Sequence, residues 1–126
     1  MSKAYLALAA LTFLLATLMF FLAGLFIFNG SSIDAHRAVG FALHGTTLLM
    51  LIVAFAGKMD RQAKIFGGGL FVLVVIQGGL AGADNVIGAF HPLVAVIFWF
   101  GSYQAFMWAR TADTAAPGTA PSSARS

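Results

Sequence analysis

The segment Ala4–Phe28, AYLALAALTFLLATLMFFLAGLFIF, contains no charged residue. An α-helix rises about 1.5 Å per residue and the hydrocarbon layer of a bilayer is about 30 Å thick, so a helix over this segment is long enough to cross a membrane. The apolar core of a cleaved signal peptide is shorter, at about 7–15 residues. We therefore predict that the segment is retained as a membrane-spanning helix.

The composition of the whole chain agrees with this prediction. Of its 126 residues, 60% are hydrophobic and 9% are charged, and the mean hydropathy is +0.93, which is typical of an integral protein of the lipid bilayer. The formal net charge is +3, but the basic residues form short clusters between apolar segments, which does not favour nucleic-acid binding. Cysteine is absent, so disulfides, thiolate metal sites and cysteine nucleophiles are excluded.

Four apolar segments follow one another with short polar turns between them. Their approximate limits are 4–28, 34–57, 64–82 and 90–109. Long uniform apolar runs are typical of helices, whereas the strands of a membrane β-barrel would alternate in hydrophobicity. The sequence therefore predicts an all-α fold, a four-helix transmembrane bundle with up-down-up-down order in residues 1–110. Residues 111–126 are small and polar and are expected to form a disordered cytoplasmic tail.

The basic residues set the expected orientation of the bundle. Lys58, Arg61 and Lys64 lie between the second and third segments. Lys3 and Arg110 flank the outer ends of the first and fourth segments, on the same side. The positive-inside rule places this side, with both termini, in the cytoplasm. We expect a multi-pass protein of the inner (cytoplasmic) membrane of a cell.

An internal repeat relates the two halves of the chain. With an offset of 55 residues, Leu22-Ala23-Gly24-Leu25 falls on Gln77-Gly78-Gly79-Leu80, and His36 falls on His91. Two equivalent helical hairpins would be related by a pseudo-two-fold axis along the membrane normal, with the second and fourth helices on opposite sides of one central space. The repeat therefore predicts that the two imidazoles face each other at one depth, near the extracytoplasmic surface.

Small residues around each histidine are expected to leave room beside the imidazole. The residues three and four positions after each histidine share a helix face with it, and they are Val39, Gly40, Val94 and Ala95. Gly24 and Gly79 are expected at about the depth of the histidines, where a flat ring could pass between the helices.

Two facing imidazoles suggest a metal site, because neutral imidazole is a ligand for iron, copper and zinc. The alternative is that each histidine forms hydrogen bonds at a helix end, although polar groups at membrane depth are costly. Zinc is disfavoured, since His44 is the one further imidazole in the chain. Haem needs two imidazoles on opposite sides of its iron and a slot for the macrocycle. We predict that His36 and His91 are the axial metal ligands of a haem b.

Three further polar residues have more than one interpretation. Arg37 follows His36 directly and could pair with the haem propionates or contact lipid phosphate. His44 lies about 12 Å deeper than His36, so one haem cannot be held by both. It could serve a second site, pair with His91 instead, or form hydrogen bonds between helices. Gln77 could hydrogen-bond to a ligand imidazole or to the haem edge, or clamp two helices together. We include Arg37 and Gln77 among the expected cofactor-binding residues.

Two short motifs resemble haem A synthase. Ala35-His36-Arg37-Ala38-Val39-Gly40 resembles the His-Arg start of a ligand helix in that family, and Ile76-Gln77-Gly78-Gly79-Leu80-Ala81-Gly82, followed by His91, resembles its Gln-x-x-Leu-Gly segment and the histidine of the next helix. Haem A synthase consists of two four-helix halves, each with histidines on its second and fourth helices. The resemblance implies one such half, with His36 and His91 as haem ligands and Arg37 adjacent.

The whole chain also resembles a group of small four-helix bacterial membrane proteins of unknown function, which carry a similar His-Arg pair and a later His-Pro pair, here His91-Pro92. This second resemblance implies the fold and assigns no activity. The chain departs from haem A synthase in having one half and no cysteine pair. Oxidation of a haem methyl group is therefore not expected unless two copies assemble, and the sequence leaves open whether the chain is an enzyme.

The leading hypothesis is a bis-histidine b-type haem protein that serves in electron transfer, haem handling or sensing. The alternative is a haem-free structural or accessory membrane protein of a larger complex. A transporter is less favoured, because the few polar residues trace no pathway across the bundle. The expected partners are the lipid bilayer, haem, and a second copy of the chain or a larger membrane complex, with no nucleic acid.

Overall fold

The computed structural model describes residues 2–83 and 85–114. This part of the chain is helical, without strands. The helices are α1 (Lys3–Asn29), α2 (Asp34–Ala56), α3 (Arg61–Ala81), α4 (Asn85–Gly88) and α5 (Phe90–Thr114). Helix α4 is a single turn, and the other four helices form a bundle. The predicted all-α four-helix architecture is therefore confirmed.

The helix limits differ from the expected ones at two ends, each for a local reason. Helix α3 begins at Arg61 rather than near residue 64, because the side chain of Asp60 accepts a hydrogen bond from the Ala63 N–H at 2.9 Å and caps the first turn. Helix α5 continues to Thr114, past the expected end near residue 109 and into the first four residues of the predicted tail. The remainder of that tail, residues 115–126, lies outside the described residues.

The four long helices are arranged in a closed ring. Helix α1 packs against α2 and α5, and α3 packs against the same two helices. Helices α2 and α5 therefore lie diagonally across the bundle, as the repeat predicts. The turn between α1 and α2 and the α4 turn lie at one end of the bundle, which we call the histidine end. The turn between α2 and α3 lies at the other end, which we call the basic end.

Small side chains hold most of the buried positions of the bundle, and many of the large apolar side chains face outward. Helices α1, α2, α3 and α5 are each long and apolar enough to cross a membrane. Phe28 and Phe41 are 89% and 75% exposed, whereas the buried residues include Ala9, Ala16, Ala54, Ala63, Ala105 and Ala109. Small interior residues let helix backbones approach closely when lipid surrounds the outer face. This distribution is that of a multi-pass membrane protein.

Helices α2 and α3 make their closest approach at Gly67. A Cβ atom on Gly67 would lie 3.0 Å from both the Cα and the main-chain nitrogen of Leu51. Backbone atoms cannot move aside as a flexible side chain can, so a methyl group here would push the helices apart. Two residues further along α3, a Cβ atom on Gly69 would meet no atom within 4 Å.

We expect Gly67→Ala to destabilise the bundle by about 1–3 kcal/mol, the usual cost of extra volume in a well-packed interior. Gly69→Ala is the matched control, because it adds the same methyl group where there is open space. Thermal unfolding of the detergent-solubilised protein, followed by circular dichroism, measures the difference. Equal melting temperatures for the two variants would contradict the close packing at Gly67.

A buried tyrosine joins two helices near the basic end. The hydroxyl of Tyr5 on α1 donates a hydrogen bond of 2.9 Å to the main-chain carbonyl of Ala63 on α3. Its ring meets Trp108 of α5 edge to face, with ring centres 6.1 Å apart. Tyr5 is fully buried, so it joins the first turn of α1 to two other helices.

We expect Tyr5→Phe to lower the free energy of unfolding by about 1 kcal/mol, since it removes one hydrogen bond and keeps the ring packing. Tyr103→Phe removes the hydroxyl of a partly exposed tyrosine and serves as the control. The same unfolding measurement applies, and a loss of stability in the Tyr103 variant as large as in the Tyr5 variant would argue against a special role for the Tyr5 hydroxyl.

Candidate functional site

The two repeated histidines meet at the histidine end of the bundle. His36 lies in the first turn of α2 and His91 in the first turn of α5. Their ring centres are 6.3 Å apart, and the ring planes are inclined at 54°. Because α2 and α5 are diagonal neighbours, the two imidazoles approach each other from opposite sides of the bundle. The structure thus brings together the two residues that the sequence repeat paired.

The separation of the two rings can be compared with that of two imidazoles bound to one metal ion. A metal–imidazole bond is about 2.0 Å long, and the ring centre lies about 1.1 Å beyond the nitrogen, so two imidazoles on opposite sides of one metal ion have centres about 6 Å apart. The observed 6.3 Å is close to this value, and it is also an ordinary distance between packed rings, since Phe41 and His44 have ring centres 6.3 Å apart. Among the described residues there is no group of three or more histidine, cysteine or acidic side chains that could hold a metal ion. A metal ion held by this pair would have two imidazole ligands from the described part of the chain.

The start of α2 is fixed by a local turn. The Oγ of Ser32 accepts a hydrogen bond from the main-chain N–H of Asp34 at 3.1 Å, and the same hydroxyl donates to the Asp34 carboxylate. Asp34 lies in the first helical turn, where its charge is favourable. The N-cap residue is Ile33, which has no side-chain capping hydrogen bond. This turn determines where α2 begins, two residues before His36.

His91 is oriented by a hydrogen bond to the neighbouring helix. Its Nδ1 donates to the main-chain carbonyl of Gln77 on α3, at 3.2 Å. A carbonyl can only accept, so Nδ1 carries the hydrogen and Nε2 keeps its lone pair. Metal-binding histidines commonly donate their second nitrogen to a carbonyl in this way. Gln77 therefore contributes to the site through its main chain as well as through its side chain.

Two buried polar atoms near the pair have no hydrogen-bonding partner. Within the part of the chain that the structure describes, these atoms are Nδ1 of His36 and Oε1 of Gln77. Leaving a buried donor or acceptor unsatisfied costs about 1–3 kcal/mol. Unlike His91, His36 is thus not held by a hydrogen bond at this nitrogen, and the Gln77 side chain has a free acceptor.

The surroundings of the pair agree only in part with the expected open slot. A Cβ atom on Gly24 or Gly79 would meet nothing within 4 Å, and Gly79 is exposed. Beside Gly40, one turn deeper than His36, the expected open volume is instead partly filled by the side chain of Met19, whose Cε lies 3.7 Å from a Cβ built on Gly40. Methionine side chains are flexible, so Met19 can adopt another conformation and leave the space beside Gly40 open.

The other two candidate residues take different positions. Arg37 is exposed at the histidine end, beside His36. The Nδ1 of His44 forms a 2.8 Å hydrogen bond with the main-chain carbonyl of Gly40, within its own helix. The Nε2 of His44 lies 3.4 Å from a Cβ built on Gly78. His44 thus packs against α3 and is not part of the histidine pair, although its hydrogen bond is within α2 rather than between helices.

Two contributors to the site were not predicted in these roles. The Gln77 main-chain carbonyl has no side-chain signature, so no residue pattern could have identified it. Met19 does carry a signal, because it continues the spacing of Thr12 and Ala16 along the buried face of α1. Helical periodicity therefore places it in the interior, but not beside a particular residue of α2.

A groove at the basic end offers no comparable chemistry. It is lined by Phe66, Gln104, Met107, Trp108 and Thr111, none of which titrates near neutral pH. The histidine pair is therefore the better candidate for a functional site in the described part of the chain.

Comparison with known proteins gives one match. Residues 19–84, which include all of α2 and α3 and therefore His36 but not His91, match DUF6220, a family of unknown function. Neither a curated protein nor a solved structure matches the chain. The relation to haem A synthase therefore stays a prediction.

Proposed function

The chain belongs to DUF6220, a family of unknown function, and we propose that it is a b-type haem-binding membrane protein with His36 and His91 as the two axial ligands. The proposal concerns haem carriage, electron transfer or sensing in the membrane. It assigns no catalysed reaction.

The observation that carries the proposal is the distance between the two imidazoles. Ring centres 6.3 Å apart on diagonal helices fit two ligands on opposite sides of one iron. A porphyrin supplies four nitrogen ligands of its own, so two protein ligands complete six-coordinate iron. The requirement for only two protein ligands favours haem over zinc, since zinc usually takes three or four protein ligands.

Each residue of the site has a defined role in this proposal. His91 offers Nε2, because its Nδ1 hydrogen is engaged with the Gln77 carbonyl. His36 approaches from the diagonal helix and offers the second imidazole. Arg37 lies exposed at the same end, where its planar guanidinium suits a carboxylate such as a propionate. The exposed edge at Gly79 provides space on the outer surface of α3.

Haem iron supplies reversible one-electron chemistry when it is bound. If His36 and His91 both held the iron, the chemistry of the bound group would favour electron transfer, haem handling or sensing over oxygen activation. The chain's own residues bind and orient the group. They also hold the surrounding helices together through small interior side chains.

We also propose the orientation of the bundle. Lys58, Arg61 and Lys64 lie at the basic end, and the positive-inside rule assigns that end to the cytoplasm. The histidine pair would then lie near the extracytoplasmic face of the inner membrane. A second copy of the chain, or a larger membrane complex, is the proposed protein partner.

We expect His36→Ala and His91→Ala each to abolish low-spin haem binding, because each removes one of two axial ligands. His44→Ala is the matched control, since His44 bonds within its own helix and should leave the spectrum unchanged. Absorption spectra of the purified protein, as isolated and after haem titration, provide the measurement.

Two results would count against this assignment. Wild-type protein that shows no Soret band and takes up no haem would support the alternative, a haem-free accessory membrane protein. Loss of haem in the His44 variant, with retention in the His36 variant, would mean that a different pair of histidines binds the iron.

We expect Arg37→Leu to weaken haem binding about tenfold, as the loss of one charge-assisted hydrogen bond of about 1.5 kcal/mol predicts, while the low-spin spectrum persists. Arg37→Lys keeps the charge and should weaken binding less. Arg110→Leu removes a basic residue at the other end of the bundle and should have no effect. Unchanged affinity and midpoint potential in Arg37→Leu would instead indicate that Arg37 contacts lipid phosphate.

A further inference from the structure

We propose that Gln77 is a positioning residue for both histidines of the pair, and that it acts on each of them through a different oxygen atom. Its main-chain carbonyl orients His91, and its side-chain Oε1 accepts a hydrogen bond from Nδ1 of His36. The consequence for bound haem rests on the proposed function, but the pairing itself can be tested in the protein without haem.

The first half of this arrangement is formed in the structure. Nδ1 of His91 lies 3.2 Å from the Gln77 carbonyl oxygen. This bond fixes the tautomer of His91 with its hydrogen on Nδ1. A main-chain carbonyl is present whatever the side chain at position 77, so substitutions there should leave His91 unchanged.

The second half is indicated by the two unsatisfied atoms. Nδ1 of His36 is a hydrogen-bond donor in one tautomer, and Oε1 of Gln77 is an acceptor. Both atoms are buried, and neither has a partner among the residues that the structure describes. Helices α2 and α3 are packed together, with His36 and Gln77 at the same end of the bundle. A rotation of the Gln77 side chain that joined the two atoms would satisfy both at once.

The sequence repeat explains why one residue would serve both rings. The equivalent of Gln77 in the first half of the chain is Leu22, which has no polar side-chain atom. Helix α1 therefore cannot offer His36 a side-chain acceptor from the equivalent position. The main chain of α1 lies close to the His36 ring at Met19, and the amide of Gln77 adds a side-chain acceptor that the first half of the repeat lacks.

Both imidazoles would then carry their hydrogen on Nδ1 and present the Nε2 lone pair. A hydrogen bond at Nδ1 also makes an imidazole a more basic ligand. A more basic ligand stabilises oxidised iron, so the Gln77 side chain would lower the midpoint potential of the bound haem.

The test measures the tautomer of each histidine in the full-length chain in lipid nanodiscs without haem, by nitrogen-15 NMR of labelled histidine. The protein has three histidines, so each signal is assigned by removing one histidine at a time. The variants are Gln77→Met, which keeps the size and removes the acceptor, and Gln77→Glu, which keeps an acceptor. Gln104→Met is the matched control, about 20 Å along α5 from His91.

We expect wild-type His36 to carry its hydrogen mainly on Nδ1. In Gln77→Met, the ratio of the two tautomers of His36 should shift about fivefold towards Nε2, which corresponds to about 1 kcal/mol for one hydrogen bond. Gln77→Glu should retain the Nδ1 tautomer, and Gln104→Met should match wild type. His44 and His91 should keep the Nδ1 tautomer in every variant.

An unchanged tautomer ratio of His36 in Gln77→Met would overturn the proposal. So would a parallel change at His91, since it would indicate a general disturbance of the helices. In a second arm, haem-loaded Gln77→Met should have a higher midpoint potential than wild type and Gln77→Glu a lower one. If wild-type protein takes up no haem, the proposed function fails, whereas the tautomer measurement still decides the role of Gln77.

Discussion

The structure depends on close packing of helices through small residues. In a bilayer, lipid chains solvate the outside of a helix as well as other apolar side chains do, so helices associate where their surfaces fit closely. Gly67 against the Leu51 backbone is the tightest such contact in α2 and α3. Six alanines, three threonines and one serine are among the other buried residues. The narrow bundle that results allows side chains on diagonal helices, such as Tyr5 with Ala63 and His36 with His91, to interact across its centre.

Much of this fold could be predicted from hydropathy, because a spanning helix must be long and apolar. The two differences at helix ends arise where that constraint no longer applies. Asp60 caps α3 with a single hydrogen bond, and polar residues up to Thr114 continue α5 once the apolar run has ended. The pairing of His36 with His91 could be predicted because the repeat fixes both depth and direction. The bond from His91 to the Gln77 backbone could not, since a carbonyl is common to every residue.

The site is less symmetric than the repeat that produced it. The repeat predicts equivalent surroundings for the two histidines. In the structure, His91 donates a hydrogen bond to a carbonyl of the neighbouring helix, whereas the buried Nδ1 of His36 has no partner among the described residues. The difference begins with Leu22 and Gln77, which occupy equivalent positions but have different chemistry. The two hairpins thus have the same helix arrangement but carry different polar residues at equivalent positions. The position of His44 shows the same kind of difference. His44 forms a hydrogen bond with the Gly40 carbonyl of its own helix, whereas the equivalent residue, Trp99, donates a hydrogen bond to Thr17 of α1.

In the described part of the chain, the backbones of α2 and α5 do not pack against each other, and the two helices are connected mainly through α1 and α3. The distance between the two imidazoles therefore depends on the tilt of all four helices relative to the membrane normal. Transmembrane helices change their tilt when the surrounding hydrocarbon layer becomes thinner or thicker. A change in bilayer thickness would therefore change the distance between the two imidazoles at the ends of α2 and α5. The geometry of the site would then depend on the lipid composition of the membrane.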